Sequence, residues 1–244
     1  MLRQLVVDYF IYRRWSAAIV IAPAISRTVY VDLIAQWVAA PIKCAPMGTC
    51  DDYPKWGRGI ARLGRKMGWA VYTQLVSISQ SQMELVSNAI FSSGLAGHPI
   101  IPAIPDIRML RRENSFALRA LYVVVVPGAG NLSRSWPIDN FVAVCREIPP
   151  SIGVVVCGSE SEKSLNDVLV QTLQSYGRDV VDLTGKTDLM GMISVVAGAA
   201  LVLGNDSSAM HMAAGLNVPS VIIAGGGHAG RFVPYCLART PLCQ

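Results

Sequence analysis

Residues 204–211 read GNDSSAMH and hold the residue types that a phosphate or sugar site needs. An acid, Asp206, and two hydroxyls, Ser207 and Ser208, stand directly before a predicted helix, and His211 falls in its first turn. Asp206 or Ser207 could instead serve only as the N-cap of that helix, because both residue types accept hydrogen bonds from its first N–H groups. A histidine on an apolar helix is often a packed core residue. The N-cap alternative does not explain why His211 follows at a spacing that directs it towards the same cleft, and the core alternative for His211 stays open.

The segment 127–137, PGAGNLSRSWP, could hold a phosphate through its backbone. Gly128 and Gly130 allow amide groups to approach an anion closely, and the helix predicted to follow adds its positive N-terminus. Arg134 could neutralise a diphosphate. The alternative is an ordinary tight turn between a strand and a helix with a solvated arginine, and the segment alone does not decide between them.

Two short motifs resemble nucleotide-binding fingerprints but lack a required glycine. GAGNLS begins like the dinucleotide fingerprint and has no third glycine, so a nicotinamide cofactor is not expected. TGKT resembles the end of a Walker loop, but that motif requires glycine at position 180, where Val180 stands. The sequence therefore does not support a P-loop NTPase, and no cofactor is predicted.

The second half of the chain alternates predicted strands and helices. Apolar runs rich in valine, isoleucine and leucine occupy residues 121–126, 152–157, 179–183, 200–203 and 219–223. Helix-compatible segments separate them at 138–148, 160–176, 188–198 and 208–216. This pattern predicts an α/β fold, with a parallel sheet covered by helices on both faces. Ligands bind beyond the carboxyl ends of such strands, and every following loop is polar or rich in glycine, so one polar binding cleft is predicted.

The first half is less regular. A strand is expected at 17–23, a helix at 28–39, a short strand at 43–47 and a helix at 78–93 that ends near Gly94. The proline-rich stretch 98–107 has the composition of a linker. We therefore predict two domains, residues 1–110 and residues 111–244.

Composition limits the class of protein. The 244 residues are 52% hydrophobic and 15% charged, which allows a sizeable core and excludes a disordered chain. No apolar run approaches the roughly 20 residues of a membrane span. The start, MLRQLVVDYFIYRRW, lacks the pattern of a secretory signal, so a cytoplasmic protein is expected. The six cysteines form no CxxC pair, which predicts free thiols in a reducing compartment and no zinc site.

Positive charge is concentrated in the first half. Lys and Arg outnumber Asp and Glu by 14 to 7 over residues 1–120 and are outnumbered 7 to 9 over the remainder. In the segment 55–67, Arg58, Arg62 and Arg65 share one helical face, which could lie on an anionic membrane surface. The alternative is a solvated basic face over an ordinary core, and the glycines of the segment weaken the helix. No nucleic-acid partner is predicted.

Taken together and in order, four segments resemble glycosyltransferase family 9, the ADP-heptose:lipopolysaccharide heptosyltransferases. They read PGAGNLSRSWP, CGSESE, DLTGKTDL and GNDSSAMHMAAGLNVP, and the likeness extends over residues 121–234. Each motif alone is weak, and their combination is specific. The sequence departs from the family pattern at Arg134, where lysine is common, and at Ser208, where the family has glycine.

The resemblance implies a GT-B architecture of two Rossmann-like domains, with the nucleotide-sugar donor bound in the second. Gly128, Ala129 and Arg134 would hold the diphosphate, Glu160 the ribose, Thr187 the nucleoside, and Asp206, Ser207, Ser208 and His211 the sugar and phosphates. No metal is implied. The partners would be ADP-heptose and an anionic glycolipid acceptor, with peripheral contact at the inner face of the cytoplasmic membrane.

The family inverts at the anomeric carbon and uses a carboxylate base in a Gly-Asp loop of the first domain. No segment here matches that loop, and neither Asp8 nor Asp32 is assigned as the base. The resemblance therefore implies an N-terminal domain that is incomplete in this sequence. The expected activity is metal-independent sugar transfer to a lipopolysaccharide or another cell-envelope glycan. The alternatives are an inactive nucleotide-sugar-binding module and a nucleotide-sugar epimerase.

Overall fold

A computed structural model describes residues 2–24, 29–47, 70–79, 83–130, 135–225, 230–233 and 235. The chain divides into two compact units, Met1–Ala103 together with Gly230–Gln244, and Ile104–Ala229. The predicted domains, residues 1–110 and 111–244, stay a prediction. The basic segment 55–67 and Arg134 lie outside the described residues.

The first unit contains a small parallel sheet. Its elements in chain order are α1 (Leu2–Tyr12), β1 (Ile19–Ile21), α2 (Val29–Trp37), β2 (Ile42–Met47), β3 (Gln74–Ser77) and α3 (Glu84–Ala96). The strand order is β1-β2-β3, and both neighbouring pairs are parallel. The predicted elements at 17–23, 28–39 and 43–47 are confirmed as β1, α2 and β2.

The predicted helix at 78–93 is confirmed as α3, but its start was placed too early. It begins only at Glu84, after β3 has ended, and it continues past Gly94 to Ala96. Gly94 stays helical because it packs against the side chain of Val76, where an added Cβ would lie 2.8 Å from a methyl carbon. The helix ends where Gly97 adopts a left-handed φ of 73° and donates its N–H to the carbonyl of Ser93.

The second unit has the predicted alternation of strands and helices. Its elements are β4 (Tyr122–Val126), α4 (Ile138–Glu147), β5 (Gly153–Val156), α5 (Lys163–Ser175), β6 (Val180–Asp182), α6 (Leu189–Ala197), β7 (Leu201–Asn205), α7 (Ser208–Leu216) and β8 (Ser220–Ile223). Two short 3-10 helices in this unit span Arg108–Leu110 and Glu160–Glu162. The strands form one parallel sheet in the order β6-β5-β4-β7-β8.

Helices cover both faces of this sheet, as the continuous apolar strands predict. Alternate residues of β4 point to opposite faces, so Val124 packs with residues of α6 and α7, while Val125 packs with residues of α4 and α5. Both valines are fully buried. In the described part of the chain, no helix has the length and apolarity needed to cross a membrane.

Cys145 and Cys157 are fully buried free thiols in the second unit. Burial raises the pKa of Cys145 to about 11 and that of Cys157 to about 12, against an ordinary value of 9.0. Below pH 9 these thiols are neutral in both the folded and the unfolded chain. Above it the unfolded chain ionises first, so we expect stability to fall as the pH rises from about 9 towards 12.

The measurement is chemical denaturation from pH 7 to 11, with a Cys145→Ala/Cys157→Ala variant as control. The variant should lose less stability across this range than the unchanged protein. An equal loss in both proteins would show that other groups cause the alkaline decline.

Candidate functional site

The strand order of the second unit marks one position for a ligand. The chain leaves β4 towards β5 on one side and later returns to place β7 on the other side of β4. A crevice opens in such a sheet where neighbouring strands are followed by connections on opposite faces. The register pairs Val126 with Gly204, so the loops that follow β4 and β7 begin at the same level.

A cavity of about 510 Å³ opens at this edge of the sheet. Its lining comes from the loops after four strands and from the first turns of α6 and α7. The lining residues are Val126, Gly128, Ala129, Gly130, Gly158, Ser159, Glu162, Thr187, Asp188, Leu189, Met192, Asp206, Ser207, Ser208, Ala209 and Met212. Four of the five loops predicted to form one cleft therefore line this cavity, and residues 226–229 of the fifth lie outside the described residues.

Glu162 lies directly against the loop that follows β4. A Cβ placed on Gly128 would lie 1.5 Å from Oε1 of Glu162, so only glycine leaves room for that carboxylate. Oε2 of Glu162 accepts hydrogen bonds from the backbone N–H of Ser159 at 2.6 Å and from its hydroxyl at 2.8 Å. Ser159 and Glu162 form a capping box, which fixes the carboxylate in the cavity wall.

The N-terminus of α7 forms the opposite wall. Ser207 is the N-cap residue by position, but its hydroxyl makes no capping hydrogen bond. That oxygen is buried and has no hydrogen-bond partner among the residues that the structure describes. A buried hydroxyl without a partner is costly, and one placed at a helix N-terminus beside a cavity suits an anionic ligand. The alternative that Ser207 caps the helix through its side chain is wrong.

One side of the cavity is apolar. Thr187 precedes α6, and Asp188 caps that helix by accepting a hydrogen bond from the N–H of Gly191 at 2.6 Å. Leu189, in the first turn of α6, is 63% exposed, and its neighbours on the lining are Met192 and Met212. Exposed leucine beside two flexible thioether side chains offers a surface on which a flat ring can pack.

Three acids and the main-chain dipole of a helix set the electrostatic character of the cavity. Asp188, Asp206 and Glu162 line it, and no lysine or arginine does so within the described ranges. The N-terminus of α7 supplies positive partial charge. Across the same described part of the chain, no three His, Cys, Asp or Glu side chains gather closely enough to hold a metal ion.

Most of the residues predicted for the site lie together. The cavity lining contains Gly128, Ala129, Thr187, Asp206, Ser207 and Ser208. Glu160 is not part of the lining, and its Oε2 lies 2.0 Å from the position of a Cβ on Gly185. His211 is half-buried on α7 and does not line the cavity either. Arg134 is outside the described residues.

Sequence reasoning missed Glu162, Asp188 and the apolar side of the cavity. The signal for Glu162 was present, because Ser159 and Glu162 have the Ser-x-x-Glu spacing of a capping box. Such a box turns the glutamate back towards the strand end. Leu189, Met192 and Met212 line the cavity only because of the way in which their helices are turned towards it. The sequence does not predict that orientation.

The chain matches the sequence model of a family described as glycosyltransferase family 9 (heptosyltransferase) over residues 57–242. It is similar to lipooligosaccharide heptosyltransferase 2 of Haemophilus influenzae, with 28% identity over 95 residues, 38% of this chain and 28% of that protein. The same protein of Haemophilus ducreyi is 28% identical over 95 residues, 38% of this chain and 27% of that protein. The match thus spans under a third of either relative.

Solved structures share the fold at low sequence identity. A family 9 glycosyl transferase from Veillonella parvula superposes with a TM-score of 0.65 and 16% identity, covering 95% of this chain and 64% of that one. The E. coli ADP-heptose LPS heptosyltransferase II superposes with a TM-score of 0.61 and 16% identity, covering 89% of this chain and 65% of that one. An E. coli heptosyltransferase with ADP-2-deoxy-2-fluoro heptose superposes with a TM-score of 0.62 and 15% identity, covering 95% of this chain and 70% of that one.

Proposed function

Since the chain belongs to glycosyltransferase family 9 (heptosyltransferase), we propose that the cavity of its second unit binds a nucleotide-diphosphate sugar. The donor is ADP-heptose, and the acceptor is a lipopolysaccharide or a related glycolipid at the inner face of the cytoplasmic membrane. One observation carries the proposal. The buried, unpartnered hydroxyl of Ser207 stands at a helix N-terminus, across from a glycine loop, in a cavity at the switch point of the sheet.

The diphosphate lies between the loop after β4 and the N-terminus of α7. The amides of Gly128, Ala129 and Gly130 and the hydroxyl of Ser207 donate to its oxygens, and the helix dipole adds favourable charge. Arg134 is proposed as the cation of this site. Asp206 and Ser208 contact the sugar, with His211 assigned there by the family resemblance.

The ribose and the base occupy the other side of the cavity. Glu162 has a carboxylate in the lining and is fixed by Ser159, so it is the acceptor that we propose for the ribose hydroxyls. Glu160 had that role by resemblance, but it is not part of the lining. The base packs beside Thr187 and against Leu189 and Met192.

Transfer is proposed to invert the anomeric carbon without a metal. The departing diphosphate gains negative charge, and oriented amides and a helix N-terminus stabilise such charge without reorganising. The base that activates the acceptor is not assigned. Asp8 accepts a hydrogen bond from the hydroxyl of Tyr30 at 2.6 Å, and Asp32 accepts one from Tyr72 at 2.7 Å. Both acids are buried, which supports structural roles for them.

The test is calorimetric titration of the chain with ADP, ADP-heptose and UDP. We expect ADP and ADP-heptose to bind more tightly than UDP. Ser207→Ala should weaken ADP binding roughly 10- to 150-fold, because a hydrogen bond to a charged group is worth roughly 1.5–3 kcal/mol. The same change removes a buried hydroxyl without a partner, so the melting temperature should stay equal or rise.

Ser175→Ala is the matched control, since Ser175 ends α5 and its hydroxyl donates only to the nearby carbonyl of Thr172. It should leave ADP affinity unchanged. Absence of binding by both ADP and ADP-heptose would refute the donor site. Binding with donor turnover in the absence of any acceptor would favour an epimerase, and binding without transfer would favour an inactive binding module.

A further inference from the structure

Asn205 is a fully buried amide at the end of β7, beside the cavity but not in its lining. Burying an amide is costly unless its donor and acceptor are both satisfied. Here the Nδ2 group donates to the carbonyl of Pro127 at 2.5 Å, and Oδ1 accepts from the backbone N–H of Trp136 at 3.0 Å. One side chain thus bonds the main chain at both ends of the loop that follows β4.

The carbonyl of Pro127 and the N–H of Trp136 lie just outside β4 and α4, so the hydrogen bonds of the strand and the helix do not include them. Pro127 follows β4, which ends at Val126, and Trp136 precedes the N-cap of α4, Pro137. Between them lie the glycines whose backbone lines the cavity. Few side chains could replace the amide, because an aspartate has no donor at neutral pH and a serine reaches less far.

We propose that Asn205 is a positioning residue that closes the loop after β4 and thereby fixes the amides of Gly128, Ala129 and Gly130 against the ligand. The identity of that ligand rests on the nucleotide site proposed above. Asn205 immediately precedes Asp206 and Ser207, which line the opposite wall. The same short segment therefore sets both walls, and the spacing of a diphosphate between them depends on this one side chain.

The packing at Trp136 supports the same role. Its ring meets that of Phe141 edge to face, with centroids 5.1 Å apart, and Phe141 is fully buried in the core between α4 and the sheet. The far end of the loop is thus anchored to the core through the ring of Trp136 and to β7 through its N–H. Loss of the Asn205 amide would leave the ring in place and release the main chain.

The experiment compares Asn205→Ala, Asn205→Asp and a control, Tyr122→Phe, in the whole chain. Tyr122 donates a buried hydrogen bond to the carbonyl of Val195 from the first residue of β4, at the opposite end of that strand. Two quantities are measured for each protein. One is ADP affinity by calorimetry, and the other is the rate of hydrogen exchange at the Trp136 amide, which donates to Asn205 and reports release of the main chain without any ligand.

We expect Asn205→Ala to weaken ADP binding about tenfold and to speed hydrogen exchange at the Trp136 amide by a similar factor, because two buried hydrogen bonds are lost. Asn205→Asp preserves the side-chain volume and the bond from Trp136, but it sets a carboxylate oxygen against the carbonyl of Pro127. It should weaken ADP binding at least tenfold as well. Tyr122→Phe should change neither quantity by more than about twofold.

Several results would overturn the inference. Hydrogen exchange at the Trp136 amide at the unchanged rate in Asn205→Ala would show that the Asn205 side chain does not hold the loop. ADP affinity within twofold of the unchanged protein in both Asn205 variants would show that the loop position does not matter for binding. If the unchanged protein binds no ADP, the nucleotide site itself is refuted, and the exchange rates still decide whether Asn205 holds the end of the loop.

Discussion

Replacing Phe141 by alanine is expected to lower the free energy of unfolding by about 3–5 kcal/mol, because truncating a buried phenylalanine removes apolar contacts and leaves a cavity. Phe141 is fully buried on α4, where it packs with Val125, Leu169 and Leu173. Its ring also meets Trp136 at an interplanar angle of 78°. The change therefore removes the main apolar contact between α4 and the sheet, together with the support of Trp136.

Urea denaturation followed by circular dichroism measures this effect. Val144→Ala is the control on the same helix, since Val144 is 40% exposed and its truncation should cost no more than about 0.5 kcal/mol. Phe141→Leu retains most of the buried volume and should fall between the two. A loss below about 1.5 kcal/mol for Phe141→Ala would mean that the helix repacks and that the core between the sheet, α4 and α5 does not depend on this ring.

The sheet of the second unit could be predicted because its strands are buried on both faces. A strand such as β4, with five consecutive apolar residues, gives no alternation and leaves only a parallel, doubly covered sheet as its explanation. In the first unit β1 and β3 are short and partly exposed, so the sequence carries less signal there. The helix expected at 78–93 was misplaced for this reason, since β3 lies just before it and Gly94 is retained by packing.

The site was predictable in its loops but not in the direction of individual side chains. Around Glu160 and Glu162 the sequence alternates serine and glutamate, and only the capping box with Ser159 brings Glu162 into the cavity. On α7, successive residues turn by about 100°, so Ser208, Ala209 and Met212 share a face. His211 lies to one side of that face, and its contact with a donor stays a prediction.

The close fit between the first loop and Glu162 leads to a second prediction. Gly128→Ala is expected to weaken ADP binding roughly 10- to 150-fold, the loss that corresponds to about 1.5–3 kcal/mol for a hydrogen bond to a charged group. The new methyl group would occupy the position of the Glu162 carboxylate, 1.5 Å from Oε1, and drive it from the lining. Stability should change little, because the displaced group is the end of a flexible side chain.

A double-mutant cycle with Glu162→Ala separates two explanations of that loss. If Gly128→Ala acts by displacing the carboxylate, it costs nothing further once the carboxylate is gone, and the double variant binds ADP as weakly as Glu162→Ala alone. If the methyl group instead obstructs the diphosphate, the two losses add. Calorimetry on the four proteins decides between them. A Gly128→Ala variant with unchanged ADP affinity would remove Glu162 from the proposed site, because the new methyl group and the present position of the carboxylate exclude one another.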